Sequence, residues 1–134
     1  MITDHIPLNI ITPMTEQDRD YRRATDQRCA ELIGQGICPS CQQFATGDVF
    51  PGQQEQTYYQ GDLISCHLES CPRGVGHTII AARTHSADIA GMPVGLGGYI
   101  VRVTHALVNA LKTVVEAEKV YMVTEAQEER WKTK

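Results

Sequence analysis

The strongest pattern in the chain is a stripe of apolar residues at helical spacing over residues 97–118. An amphipathic helix is stabilised mainly by burying its apolar face, so a stripe this wide needs a broad, flat partner. The pattern predicts a long helix packed on a sheet. The stripe consists of Tyr99, Ile100, Val103, Ala106, Leu107, Ala110, Leu111, Val114 and Val115.

Runs of β-forming residues lie before this helix and one lies after it. In TYYQGDLISCHLES two such runs are separated by Gly61-Asp62, which predicts a hairpin. Because side chains alternate along a strand, Ile64 and Cys66 are expected on the face opposite to His67. HTIIAAR is a third candidate strand, and VYMVT at residues 120–124 is a fourth.

A polar helix is predicted nearer the N-terminus. Thr15 followed by Asp18 is typical of a helix N-cap with an acidic first turn, and Gly34 and Gly36 supply a stop. Few apolar residues lie between them, so this helix is expected to lie on the surface of the domain and to bury only a narrow face. Three segments are expected to lack long helices and strands: residues 1–14, residues 42–55, and THSADIAGMP, a loop or one-turn helix.

These elements predict an α+β domain in which helices lie on an antiparallel meander. We expect an irregular segment and a surface helix over residues 1–36, followed by the main domain over residues 37–124. A polar tail, EAQEERWKTK, occupies residues 125–134 and has no strand alternation.

Composition narrows the classes of function. The length of 134 residues suits one domain, and the net charge of −4 argues against broad binding to nucleic acid. No membrane span is expected, since charged and polar residues interrupt the long helix. The acidic N-terminus does not resemble a secretory signal, and an odd number of cysteines, five, indicates reduced thiols. A cytoplasmic location is therefore expected.

Cys38-Pro-Ser-Cys41 is the first candidate for chemistry. Two thiolates three positions apart at a turn can bind one zinc ion, which needs two further ligands. A redox pair is an alternative, although thioredoxin-like sites place a buried strand before the motif and a long helix after it. Two plain structural cysteines are the third possibility.

The second candidate is the series Gly-His77-Thr-Ile-Ile-Ala-Ala-Arg-Thr-His85. Together with the preceding Glu69-Ser-Cys-Pro-Arg-Gly-Val, it resembles the signature of the histidine triad (HIT) superfamily. In that signature an acidic residue, a proline and a Gly-His-Thr turn precede a strand that ends in Lys/Arg-x-His. The Cys38/Cys41 pair matches the zinc-bearing subset of that family. The resemblance covers roughly residues 37–124.

The resemblance implies a zinc site and a nucleotide site. Zinc-bearing relatives bind the metal through the positions of Cys38, Cys41 and His85, with a fourth ligand from the first histidine of the triad. In nucleotide-binding relatives an Asp at the position of Glu69 holds the ribose hydroxyls. Glu69 keeps the two acceptor oxygens on a side chain one methylene longer. His67 and Leu68 are then expected near the base or ribose, and His77 in a supporting role.

The chain departs from the family at its most important motif. HIT enzymes carry H-x-H-x-H, whose middle histidine attacks the α-phosphorus of a nucleotide. After Val123 this sequence contains no histidine, so no catalytic residue is assigned. The expected fold is accordingly a HIT-like meander whose C-terminal strand is missing or replaced, which leaves a sheet edge open. Relatives often dimerise through the long helix and the adjacent strand, and a homodimer is therefore expected.

The function predicted from the sequence is that of a HIT-like protein that binds a purine nucleotide or a related small molecule. Its relatives hydrolyse or transfer nucleotides from nucleoside phosphoramidates or dinucleoside polyphosphates, and weak or no activity is expected without the triad. The alternatives are a non-catalytic nucleotide- or zinc-binding module and a C-x-x-C redox or structural protein. Zinc is the expected cofactor, and neither nucleic acid nor membrane is an expected partner.

Overall fold

A computed structural model describes residues 14–124, and the predictions for residues 1–13 and 125–134 lie outside that range. The described part combines three α-helices with a three-stranded antiparallel sheet, as an α+β fold requires. A short 3-10 helix, Ile89–Gly91, lies in the segment expected to be a loop or one-turn helix. In chain order the other elements are α1 (Glu16–Gly34), α2 (Pro39–Thr46), β1 (Thr57–Gln60), β2 (Ile64–Leu68), β3 (Thr78–Ala82) and α3 (Val94–Val114).

Helix α1 begins and ends where the sequence predicts. The Thr15 hydroxyl accepts a hydrogen bond from the backbone N–H of Asp18, and the Asp18 carboxylate accepts one from Thr15 N–H, which forms a capping box. At the other end Gly36 adopts a left-handed φ of 77°. Leu32 and Thr25 are the buried residues of this helix, as expected for a surface helix that buries only a narrow face.

The sheet has the order β1-β2-β3, with each pair antiparallel. The predicted hairpin is confirmed, with Gln60 opposite Ser65 and an irregularity between Thr57 and Tyr59. The prediction of a fourth strand at residues 120–124 is wrong, because this described segment contains neither helix nor strand. β-propensity alone does not make a strand, which also needs an edge to pair with and neighbours to pack against.

Helix α3 is confirmed, but it runs from residue 94 to 114 rather than from 97 to 118. It begins directly after Pro93 and ends at Val114, with Val115 as its C-cap residue. The next residue, Glu116, has a φ of 56° and so leaves the helical region. Leu96 packs in a core cluster with Ile64 and Cys66 of β2. The helix therefore covers the sheet face that carries the even-numbered residues of β2.

Residues 42–46 are helical, so the prediction of a loop over residues 42–55 is wrong for that part. Helix α2 has Pro39 in its first turn and Gly47 at its end with a left-handed φ of 72°, which are ordinary helix start and stop signals. The buried Gln43 side chain holds the loop after α2 in place. Its Oε1 accepts hydrogen bonds from the backbone N–H groups of Val49 and Phe50, both at 2.9 Å.

Helices α2 and α3 lie on opposite faces of the sheet. Gln43 and Phe44 of α2 line a pocket together with Gln60 of β1 and Ser65 of β2. Ser65 alternates along β2 with the residues that contact α3, so it faces the other way. The sheet is thus the middle layer, and the α2 face carries the odd-numbered residues of β2.

By length and composition, α3 is also the one helix among the described residues that could cross a membrane. This is weak evidence, because the core helix of a soluble protein passes the same test. Leu96 is the one buried residue of this helix.

Candidate metal centre

The two cysteines of Cys38-Pro-Ser-Cys41 lie at the N-terminus of α2 and not in an open turn. Cys38 is the N-cap residue, and Pro39 follows it in the first turn. Side chains three positions apart on a helix lie on the same side of it, so both sulfur atoms are directed to one region. Both cysteines are partly buried thiols.

His85 reaches the cysteines from the sheet. It follows the end of β3, and its Nδ1 lies 3.4 Å from Cys41 Sγ, across 44 residues of sequence. The ligand atoms of Cys38, Cys41 and His85 all lie within 4.8 Å of one another. The fold therefore brings together the three residues that the sequence predicts as metal ligands, in a group that could hold a metal ion.

One distance within this group matches that expected between two ligands of a tetrahedral zinc ion. Zinc binds sulfur at about 2.3 Å and imidazole nitrogen at about 2.0 Å, which at a tetrahedral angle puts the two donors about 3.5 Å apart. The observed separation of Cys41 Sγ from His85 Nδ1 is 3.4 Å. Thiolate and imidazole donors together favour zinc over the hard cations magnesium and calcium.

A second contact holds α2 against the end of β3 beside this group. The Arg83 guanidinium carbon lies 5.0 Å from the centre of the Phe44 ring, a cation–π distance. Arg83 N–H donates to Leu63 O at 2.9 Å, which fixes the chain two residues before His85. Sequence reasoning missed this pair, although Phe44 lies three residues after Cys41 on the same helix and Arg83 two residues before His85.

The residues expected to contact a nucleotide lie at the junction of β2 and β3. Glu69 N–H donates to His77 O at 3.0 Å, and the Glu69 carboxylate accepts from Cys71 N–H at 3.3 Å. His77 Nδ1 accepts from Arg73 N–H at 3.2 Å. Because residues opposite one another in an antiparallel pair share a face, the side chains of His67, Glu69 and His77 lie on the α2 side of the sheet.

The structure also fixes where these residues lie relative to Leu68 and to the metal ligands. Leu68 belongs to the even-numbered set of β2 and is directed to the opposite face from Glu69, where 43% of its surface is exposed. Cys38, Cys41 and His85, called the metal group below, lie at the other end of the sheet. His85 follows the end of β3 at which Ala82 pairs with Ile64, whereas Glu69 follows the end of β2 at which Leu68 pairs with Thr78. Five paired residues separate the two ends by about 13 Å.

The thiols of Cys66 and Cys71 lie outside the metal group, and so does the exposed imidazole of α3. Cys66 is 2% exposed in the core beneath α3, where burial raises the pKa of its thiol. The Cys71 thiol lies 3.8 Å from the Asp18 carbonyl of α1, and burial raises its pKa as well. His105 is exposed, as its position opposite the apolar stripe predicts.

Comparison of this chain with protein-family models, curated proteins and solved structures gives no match. The likeness to the HIT superfamily therefore rests on the motifs quoted above, and membership remains a prediction.

Proposed function

We propose that this chain is a zinc-binding, HIT-like module with little or no hydrolytic activity in these 134 residues. The observation that carries the proposal is the convergence of Cys38, Cys41 and His85, whose ligand atoms lie within 4.8 Å of one another. Two of these donors belong to a helix and one to the end of a strand. Bound zinc would join α2 to β3, and the binding energy would then contribute directly to folding stability.

Zinc binding is tested by elemental analysis of protein purified without chelator, together with thermal unfolding. We expect about one zinc per chain. Cys41→Ser should remove most of the metal and lower the melting temperature by roughly 5 °C or more, since a lost structural ligand costs several kcal/mol.

Cys29→Ser is the matched control, because Cys29 is also a partly buried free thiol but lies outside the metal group. It should retain the zinc and most of the stability. A wild-type protein that contains no metal when prepared with zinc in excess would refute the proposal.

Nucleotide binding is the second proposed activity, and it rests on the grouping of His67, Glu69 and His77 on one face at one sheet end. A carboxylate there suits the two hydroxyls of a ribose. Isothermal titration with AMP and GMP should give binding that Glu69→Ala abolishes. Glu55→Ala is the control, since Glu55 is exposed in the turn before β1. Equal binding by both variants would place the nucleotide elsewhere.

Hydrolysis is expected to be weak or absent, because the sequence contains no H-x-H-x-H to supply a nucleophile. A nucleoside phosphoramidate and a dinucleoside polyphosphate are suitable substrates for the assay. The same chain extended with a histidine-triad strand is the positive comparison. Robust turnover by the original chain would contradict this part of the proposal.

One observation favours the redox alternative. The Cys38-Pro-Ser-Cys41 motif lies at the N-terminus of a helix, where the helix dipole favours a thiolate. A reversible Cys38–Cys41 disulfide in a protein that never binds zinc would support this alternative over the metal site.

A further inference from the structure

Two donors of the metal group are sulfur atoms that belong to one short segment. Cys38 is the N-cap residue of α2 and Cys41 lies three positions later, a spacing that in a helix puts their Cα atoms about 5 Å apart. Disulfides join Cα atoms that are about 4.4–6.8 Å apart. The two sulfur atoms lie within 4.8 Å of each other. A bond between them therefore needs side-chain rotation and little movement of the backbone.

Zinc binding and disulfide formation compete for these two sulfur atoms. The thiolate is the form of cysteine that binds metal, and a disulfide consumes it. A bond between Cys38 and Cys41 would remove two donors at once and leave His85. Whichever group supplies a fourth ligand, at most two ligands would then remain, and protein zinc sites use three or four. Oxidation of the pair should therefore release the metal.

The thiols of the chain differ in their access to solvent. Cys38 and Cys41 are partly buried, and the third member of the metal group, His85, is exposed beside them. Cys66 is 2% exposed in the core beneath α3. Oxidation of cysteine follows exposure and thiolate character, and a zinc-bound cysteine is a thiolate. A small oxidant should therefore reach the metal group well before Cys66.

Two further thiols, Cys29 and Cys71, provide internal controls because they are also partly buried. The Cys71 sulfur lies 3.8 Å from the Asp18 carbonyl oxygen, at the sheet end remote from His85. Cys29 lies on α1 near Tyr21. Neither cysteine belongs to the metal group, so its oxidation should not release zinc.

We propose that the metal group is a redox switch, in which a peroxide converts Cys38 and Cys41 to a disulfide and thereby releases the zinc. The inference rests on the proposed zinc binding. Bound zinc joins α2 to the end of β3, whereas the disulfide closes within α2 and leaves His85 unattached. Oxidation thus loosens α2, together with the loop that the Gln43 side chain holds.

The chemistry balances with peroxide as the oxidant. One thiolate attacks the peroxide, so that a sulfur–oxygen bond forms, the oxygen–oxygen bond breaks and hydroxide leaves, which gives a sulfenic acid. The second thiolate attacks that sulfur, so that the sulfur–sulfur bond forms, the sulfur–oxygen bond breaks and a second hydroxide leaves. Two electrons pass from the sulfurs to the peroxide, and two protons from solvent convert both hydroxides to water. A dithiol reductant reverses the change by thiol–disulfide exchange.

Titration with hydrogen peroxide tests the inference on the zinc-loaded, full-length chain. Zinc that stays with the protein after desalting is measured by elemental analysis. Cleavage after glutamate gives a peptide, residues 32–55, that holds Cys38 and Cys41 and no other cysteine. The mass of this peptide should fall by about 2 Da as two thiol hydrogens are lost. We expect zinc to be lost in step with this disulfide, and to bind again after reduction by a dithiol.

Several results would overturn the inference. Zinc that is retained while the peptide carries the disulfide would mean that the metal does not depend on both sulfurs. Zinc that is lost while Cys38 and Cys41 remain thiols, or become separate sulfinic acids, would mean that no disulfide drives the release. Zinc that does not return after reduction would mean that peroxide damages the site and does not switch it.

Two variants and the starting zinc content separate this inference from the proposed zinc binding. Cys29→Ser and Cys71→Ser should lose zinc over the same range of peroxide concentration as the wild type. Resistance in either variant would assign the response to that cysteine and refute the switch. A chain without zinc before peroxide is added would instead remove the proposed metal site itself. Full zinc content that excess peroxide does not lower refutes the switch alone.

Discussion

His67 lies in the middle strand β2 with 8% of its surface exposed, and its Nδ1 has no hydrogen-bond partner within residues 14–124. Burial disfavours the charged imidazolium and lowers the pKa of His67 below its usual value, an effect that the nearby Glu69 carboxylate opposes. The folded protein therefore holds this imidazole neutral under conditions in which the unfolded chain begins to protonate it.

Stability should consequently fall on acidification through the pKa of an unfolded histidine, about 6.5. A base whose pKa is lowered by folding binds more protons in the unfolded state, so its contribution is complete above that pH and is lost as the pH falls towards the folded pKa. We expect the free energy of unfolding of metal-free protein, measured with urea, to decrease between about pH 7.5 and pH 5.5. His67→Gln should flatten this dependence.

His105→Gln is the control, since His105 is exposed on α3. Its pH dependence should match that of the wild type. If His67→Gln shows the same slope as His105→Gln, the buried imidazole is not the group responsible.

At the scale of elements, Gly76 is the point where the turn before β3 meets α3. Its φ is 83°, and a Cβ added there would lie 2.7 Å from Leu111 Cδ2 and 3.5 Å from Val115 Cγ2. Both facts favour glycine, since other residues rarely adopt this φ and an added Cβ would force the Leu111 side chain to move.

Gly76→Ala should therefore destabilise the protein more than Gly52→Ala. Gly52 has nearly the same φ, 84°, but nothing lies within 4 Å of an added Cβ. Each change costs about 1–2 kcal/mol for the left-handed backbone, and Gly76→Ala should cost about 1 kcal/mol more for the contact with Leu111. Urea unfolding measures both, and equal losses would mean that α3 does not pack on this turn.

The cation–π contact of Arg83 with Phe44 joins α2 to β3. A second arginine–aromatic contact, within α3, serves as its comparison. The Arg102 guanidinium lies 5.9 Å from the Tyr99 ring centre, and Arg102 is exposed. Arg83→Ala should lower the free energy of unfolding of metal-free protein by about 1–2 kcal/mol, through lost cation–π attraction and lost packing of its stem. Arg102→Ala should cost less than about 0.5 kcal/mol. A larger loss for Arg102→Ala would contradict this ranking.

Helix α3 carries apolar side chains on the side away from the sheet, where they bear on how the protein associates. Val94 and Val101 are 91% and 61% exposed, and their spacing of seven residues puts them on one face. The predicted homodimer would bury this face, because an exposed apolar patch on a helix is stabilised by a partner.

Size-exclusion chromatography with light scattering should therefore give twice the chain mass, and Val101→Lys should shift the protein to monomer. Asn109→Lys is the matched control, as Asn109 is another exposed residue of α3 and lies off the Val94–Val101 line. A wild-type monomer, or equal dissociation in both variants, would rule out association through this face.

Much of the fold follows from local signals. Thr15 and Asp18 mark the start of α1, Gly61-Asp62 marks the hairpin, and the apolar stripe marks α3, because capping, turn geometry and helical spacing act over a few residues. The signals of the short α2 were also present, at Pro39 and Gly47. Asp48, Pro51 and Gly52, which mark the loop that follows, are the stronger signal in this part of the sequence.

Local sequence patterns are enough to identify the candidate ligands and the type of most elements. The motif around Cys38, Cys41 and His85 specifies donors, and periodicity specifies helix or strand. The absence of a strand at residues 120–124, within the described part, depends on tertiary contacts, since a strand forms only where a sheet edge and a packing surface are present. The same contacts place the metal group and Glu69 at opposite ends of the sheet. Such distances depend on strand register and direction, which arise from pairing between segments far apart in the chain.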